Sequence, residues 1–449
     1  MSDWVDAEQH VERAHEHYEA GRWTEAESEL REAIALNPYH AEWHFNLGLT
    51  LEAAGRFQDA ADAFRASFDL APGEANTALC LGVNHLRARK YEDAIEWLAR
   101  AEKLNPSEPM SYVHRLDAYV AMENFEQAQL MFFLAQQADP DCAEAYASFG
   151  QALLDQGQHE RAAWCFREAL RLDPGLPRVQ AQLAATYAAT GRPERARQLY
   201  LRELRSNPGD VDTLLDFGRV LASMNRSAEA SEKFRRVLEL EPDDPDAHFE
   251  LAVLAERESR PDEALAQYDI VLRLDPSYPG ARRALARLLL ERSRSDDDRA
   301  AHAILRRELS ELTQRPDDFT RDDLAELVRL LLDAGLPREA SRAATTLVGQ
   351  APDDAQARHL LSASLFQLAR PEDAIPHAQE ALRLDPILLP ALHNLAVATL
   401  RMGRYDEARD YARRALSLDP DDHALRRLMF FLRLRRALSR LTRPLRRAG

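Results

Sequence analysis

Lysine is almost missing from this chain of 449 residues: Lys90, Lys103 and Lys233 stand against 55 arginines. So lopsided a choice reads as the coding bias of a GC-rich, bacterial genome and not as a binding signal. Cysteine is equally scarce. Cys80, Cys142 and Cys165 are odd in number and lack metal-ligand spacing, which argues against a disulfide framework and for small buried hydrophobes in a reducing compartment. Glycine, at 16, is too rare for flexible linkers, and abundant Ala, Leu, Glu and Arg favour helix. Long apolar runs are missing too. Runs such as Leu428 to Leu432 fall far below the ~20 residues a membrane span needs. The opening MSDWVDAEQH has no basic segment followed by an apolar one, so the expected setting is the cytoplasm.

What is plentiful is negative charge. The formal net charge is −17, with 30 % charged and 45 % apolar residues, the composition of a folded chain. Length alone predicts several cores. The charge is unevenly placed: from His423 onward there are nine Arg and no acid, so the residues before it carry −26, that is −17 less 9. Such a body repels nucleic acid and anionic surfaces, and only the basic tail can approach them. Nucleic acid is therefore not an expected partner.

Proline keeps time. It falls at Pro38, Pro72, Pro106, Pro140, Pro174, Pro208, Pro242 and Pro276, always 34 residues apart, then at Pro316, Pro352, Pro386 and Pro420. Twelve residues before eleven of these stands an alanine, from Ala26 to Ala408; the unit ending at Pro316 has Ile304 instead. Twenty-four before, the residue is usually small, as in Ala14, Gly48, Gly82, Gly150, Ala184 and Gly218. Eight before, Phe64, Phe132, Phe166, Tyr200, Phe234 and Tyr268 recur, with Ala344, Ala378 and Ala412 in later units. Small residues at two fixed places let antiparallel helices approach closely while the aromatic fills the gap beside them. Proline ends the second helix, and the acid after it caps the next. Each helix should be about 14 residues, roughly 21 Å. One such hairpin cannot bury both its faces, so neighbours must stack.

This pattern resembles the tetratricopeptide repeat family over nearly all of residues 7–420. The resemblance implies an all-α fold, a right-handed superhelical solenoid of about twelve 34-residue helix-turn-helix repeats with a C-terminal capping helix. It implies a concave groove, lined by the first helices, that binds proteins or peptides. The expected organisation is a regular block at 1–278 (repeats 1–8), an irregular ninth repeat at 279–320, a block at 321–420 (repeats 10–12), and a capping helix and tail at 421–449. The ninth repeat carries about six extra residues near Ser293–Arg299 and two near Phe319. Either these lengthen the inter-helix turn, with acids capping the second helix, or they mark a hinge.

Catalytic signatures are missing: the sequence holds no phosphate loop, dinucleotide fingerprint, H-E-x-x-H, paired C-x-x-C or nucleophile elbow. No enzyme activity and no cofactor is expected; the competing class is a regulatory subunit of an enzyme. Acidic clusters such as Asp243-Asp244 and Asp353-Asp354 sit where helices begin, so capping explains them better than calcium. His359 and His393 share the fifth position of adjacent first helices and face the groove, as wall residues or as a ligand-contacting pair.

The resemblance also indicates which positions line the groove. A carboxylate clamp is absent, since Val11, His15, Asn46, Asn76 and Cys80 occupy its places. A ladder of sixth-position asparagines is absent too, with only Asn46 and Asn394. Early units offer Phe45 and Leu49 beside Asn46, an apolar wall; later ones offer Arg219, Arg257, Arg283, Arg287 and Arg329. Two readings stand open: a basic end for an acidic or phosphorylated peptide, or arginines paired with acids of adjacent helices.

In the tail, Leu425, Leu428, Met429 and Leu432 form a stripe suited to capping. A second face, Phe430, Phe431, Leu434 and Leu438, stands beside Arg433, Arg435, Arg436 and Arg440. This surplus suits docking on a partner protein, on a second copy, on the chain's own acidic body, or peripherally on an anionic membrane.

Overall fold

The computed structural model describes residues 2–292 and 294–442, with side chains described from Asp6 to Leu434 except at 293 and 295. Among the described residues there are twenty-five α-helices, one 3-10 turn at Pro316–Asp318 and no strand. The first twenty-four helices pair into twelve hairpins. Eleven of the twelve second helices are 14 residues long, and each ends two residues before its proline. The chain forms two compact units, Met1–Lys233 and Phe234–Gly449, whose boundary lies in the second helix of hairpin 7 (Ser227–Leu240).

The periodic small residues do what their spacing implies. All eleven periodic alanines are fully buried. In unit 1, a Cβ added to Gly48 would stand 2.6 Å from the Phe64 ring, one at Gly82 2.6 Å from Leu98, and one at Gly150 2.8 Å from Phe166. These helices cross at a distance only hydrogen allows. Phe64, Phe166 and Tyr200 are almost wholly enclosed there, and in unit 2 so are Phe234 and Tyr268.

Capping is narrower than expected. Of the acids after the prolines, Asp210, Asp244 and Asp354 are first-helix N-caps whose side chains accept a backbone N–H, Glu108 accepts the Met110 N–H at 3.4 Å, and Asp422 accepts one at the terminal helix. Asp244 and Asp354 do so at 2.6 and 2.8 Å, which accounts for both acidic clusters. Where the chain re-enters after the ninth hairpin, Thr320 and Asp323 form a reciprocal capping box.

The ninth hairpin corrects one expectation. Its extra six residues do not lengthen the turn: they extend its second helix, Ser295–Gln314, to 20 residues. Asp296, Asp297 and Asp298 occupy that helix's first turn, where the dipole favours them. The connection to hairpin 10 includes the three-residue 3-10 turn Pro316–Asp318. Ala301 and Leu305 take the buried places, and Ile304 is only half-buried. The hairpin lies inside unit 2, and one apolar core runs from Ala252 through Leu305 and Leu327 to Ala374.

The terminal helix, His423–Thr442, covers the last hairpin with Leu425, Leu428, Met429 and Leu432, packed against the cluster around Leu392 and Ala415. No helix among the described residues is long and apolar enough to cross a membrane.

The glycine crossings can be tested directly. Gly48→Leu and Gly150→Leu should each destabilise unit 1 by about 1–3 kcal/mol through overpacking. Gly349→Ala, whose new Cβ meets nothing within 4 Å, should stabilise by up to about 1 kcal/mol. Urea unfolding followed by circular dichroism reads both.

Candidate functional site

The first helices carry the candidate binding positions, and within each unit one pocket gathers several of them. In unit 1, hairpins 1 and 2 enclose about 330 Å³ between Val11, Tyr18, Leu30 and Leu49, with His15 and Asn46 at the wall. Thr50 donates its hydroxyl to the Asn46 main-chain carbonyl at 2.9 Å, and the Asn46 side chain makes no hydrogen bond among the described residues. Phe45 is half-buried outside this pocket, its ring 5.2 Å from that of Phe64.

In unit 2, hairpins 11 and 12 enclose about 420 Å³. Phe366 and Val397 form its apolar wall, and Gln367, His393, Asn394 and Arg401 its polar one. The two sixth-position asparagines of the chain, Asn46 and Asn394, thus each stand in an apolar pocket. Sequence alone reads them only as a failed ladder, because the walls around each come from neighbouring hairpins.

His359 is not part of the second pocket. It is 7 % exposed, and its Nδ1 has no hydrogen-bond partner. Burial, aided by the nearby Arg329 guanidinium, pushes its pKa down to about 4, so the ring is neutral at pH 7. The structure therefore does not bring His359 and His393 together on one cavity wall.

The arginines divide. Arg219 is exposed and lies 3.5 Å from Asp216. Arg257 is exposed at the end of its helix. Arg329 is exposed and makes no hydrogen bond or ion pair among the described residues. Arg283 and Arg287 are internally paired. Arg283, 6 % exposed, donates to Glu308 at 2.7 Å, to Glu326 at 3.1 Å and to Asp323. Arg287 bridges Glu326 at 3.1 Å and Glu256 at 2.9 Å. Arg282, a residue with no sequence signal of its own, is 5 % exposed and binds Glu308 at 2.7 Å as well as Glu311. Glu308 thus holds two buried guanidinium groups at once.

Part of this network, Arg282, Arg283, Glu308, Glu311 and Asp323, lines a third cavity of about 620 Å³ beside hairpin 9, together with the exposed Arg315. The network pairs three arginines with five carboxylates, so none of its guanidinium groups lacks a counter-charge. Arg283 and Arg287 satisfy the helix-to-helix pairing, and their donors point into the protein.

Of the tail residues, Phe430, Phe431 and Leu434 are exposed, as is Arg433. Arg435, Arg436, Leu438 and Arg440 lie on the same continuous helix, but their side chains fall outside the described residues. The three thiols are free, and burial pushes each up to about 11, far from nucleophilic use at pH 7. Among the described residues no three His, Cys, Asp or Glu side chains are placed to hold a metal ion.

Profiles described as tetratricopeptide repeat match residues 11–75, 115–177, 215–318 and 326–386, with further matches at 153–210 and 390–422. No curated protein matches the chain. Among solved structures, Pseudomonas aeruginosa pilF is 19 % identical and aligns over 47 % of this chain and 97 % of its own, with a TM-score of 0.43. Yeast Tom70 is 15 % identical over 97 % and 96 %, with a TM-score of 0.39. YrrB, described as a TPR protein with an unusual peptide-binding site, is 22 % identical over 42 % and 98 %, with a TM-score of 0.36.

Two outcomes follow from the buried polar groups. Glu308→Ala leaves two buried guanidinium groups short of a counter-charge and should cost unit 2 about 3–5 kcal/mol in chemical denaturation. Glu311→Ala, at the more exposed edge, should cost less. For His359 the folded pKa lies below the unfolded value of 6.5, so the unfolded chain binds a proton first on acidification. Stability should fall between pH 6.5 and about 4, by up to about 3 kcal/mol. His359→Gln should flatten that slope in urea midpoints compared at pH 7 and pH 5.

Proposed function

The chain belongs to the tetratricopeptide repeat family, and from that premise we propose that it is a non-enzymatic scaffold binding protein or peptide ligands on the inner faces of its hairpin stacks. The observation that carries the reading is the pairing of apolar walls with an asparagine amide in two pockets. An amide supplies one acceptor and two donors, which suits the main chain of an extended peptide, while the apolar walls take a side chain. The unit 1 pocket suits a large apolar residue. The unit 2 pocket adds Arg401 and suits an apolar residue beside an acidic one. Of the arginines expected to make later units basic, Arg283 and Arg287 are occupied internally, while Arg219, Arg257 and Arg329 are exposed, as is Arg401. A cytoplasmic setting belongs to the same reading.

The terminal helix is a second docking element in this proposal. Its inner stripe serves the last hairpin, and Phe430, Phe431 and Leu434 are left over. Recruitment to an anionic membrane surface through these residues and their arginines is the second reading, supported by the same exposed face.

Peptide-library selection against the full chain tests the groove. Enriched peptides should carry a large apolar residue in an extended stretch. Leu49→Glu and Asn46→Ala should each weaken the unit 1 class about tenfold or more, and Asn394→Ala the unit 2 class. Selection without enrichment, or enrichment indifferent to all three substitutions, would sink the reading.

A further inference from the structure

The second helices present an outward position two residues after the buried alanine. In unit 1 it reads Ser28, Asp62, Glu96, Leu130, Trp164, Gln198 and Glu232. Five of the seven are polar; two consecutive ones are large and apolar. Leu130 is 46 % exposed and Trp164 47 %. Three residues beyond Leu130, Phe133 is 49 % exposed, where hairpins 1, 2 and 5 place Arg31, Arg65 and Arg167. Equivalent positions of successive hairpins lie side by side, so these three form one surface. Ring contacts join it: Tyr146 lies 5.8 Å from Trp164 and 5.4 Å from Phe132, which lies 5.8 Å from Phe133.

Nothing in the fold requires Leu130 and Trp164 to be apolar, because the same position is polar in the other five hairpins of unit 1. Its rim carries exposed Glu92, Glu96 and Glu126 on the side of hairpins 3 and 4, while on the hairpin 5 side Arg167 turns back onto the Ala163 carbonyl and Arg161 onto Gln158. The unit beneath it is acidic as a whole. Residues 1–233 hold 38 Asp and Glu against 23 Lys and Arg, a net −15, whereas residues 234–449 hold 37 against 35. An apolar centre with an acidic rim fits a helix with an apolar centre and a basic rim. The terminal helix has that face: Phe430, Phe431 and Leu434 exposed, with exposed Arg426, Arg427 and Arg433 around them.

We propose that the exposed face of the terminal helix of one copy docks on the Leu130–Phe133–Trp164 surface of a second copy. The proposal rests on the reading of the terminal helix as a docking element. Donor and acceptor are different surfaces, so the contact is heterologous and builds rings or chains, not a two-fold dimer.

Sedimentation velocity of the full chain tests it. Mass should grow with concentration, and salt should weaken the growth. The acceptor variant carries Leu130→Asp and Phe133→Asp; the donor variant carries Phe430→Asp and Phe431→Asp. All four residues are exposed, so both variants should melt like the parent by circular dichroism. Each alone should lose self-association by at least about tenfold. Mixed, they should form a 1:1 dimer and nothing larger, because the mixture retains one working donor and one working acceptor. If the donor variant is monomeric but the acceptor variant still associates, the acceptor is elsewhere and only this inference falls. If the donor variant associates like the parent, the docking role of the helix falls with it. A parent that stays monomeric yet co-sediments with anionic phosphatidylserine vesicles overturns the second copy in favour of membrane; monomeric without vesicle binding, it overturns both.

Discussion

Everything in this structure depends on how closely the two helices of a hairpin approach. The aromatic ring of Phe64 sits where a side chain on Gly48 would have to be, and Phe166 does the same to Gly150. The eleven buried alanines set the same spacing at the second crossing. Close packing of this kind leaves the hairpin rigid but exposes an apolar flank on either side. Only another hairpin of the same shape covers that flank, and at the last repeat a single helix does so with Leu425 and Leu432. The stack is a consequence of the crossing distance.

Stacking also sets what is left for binding. Helices satisfy their own backbone, so inner-face side chains not drawn into helix-to-helix pairing can vary from repeat to repeat. The pockets of the two units show this freedom. Asn46 and Asn394 occupy one repeat position, yet Tyr18 and Leu49 surround the first while Phe366, His393 and Arg401 surround the second. On the outer face the same freedom lets Leu130 and Trp164 replace acids without disturbing the crossing beneath them.

Hairpin 9 departs from this economy. Its longer second helix brings Glu308 between Arg282 and Arg283, and the connection after it brings Asp323 to Arg283. Buried charges of this kind seldom add stability over an apolar core, but removing one partner is strongly destabilising because it leaves an uncompensated buried charge. Arg287, Glu256 and Tyr268 extend the same chain of hydrogen bonds to hairpin 8.

The repeat, the hairpin, the twelve units and the stripe that seats the terminal helix were all legible in the residues. Each depends on neighbours within about 34 positions, and the spacing of Pro, Ala and aromatic residues records those contacts directly. The insertion at 293–299 was visible, but not its use, since a helix extension and a longer turn differ only in whether Ala301 and Leu305 find a core. Arg283 and Arg287 looked like Arg329, a groove cation. Their fates differ because a guanidinium is neutralised by whichever carboxylates the fold delivers, and Glu308, Asp323 and Glu326 arrive from 25, 40 and 43 residues away. His359 likewise reads as a groove residue until neighbouring helices bury it. Local spacing determined the architecture of this chain; which polar side chains stay available was decided by tertiary packing, because desolvation and charge pairing depend on surroundings that no single repeat contains.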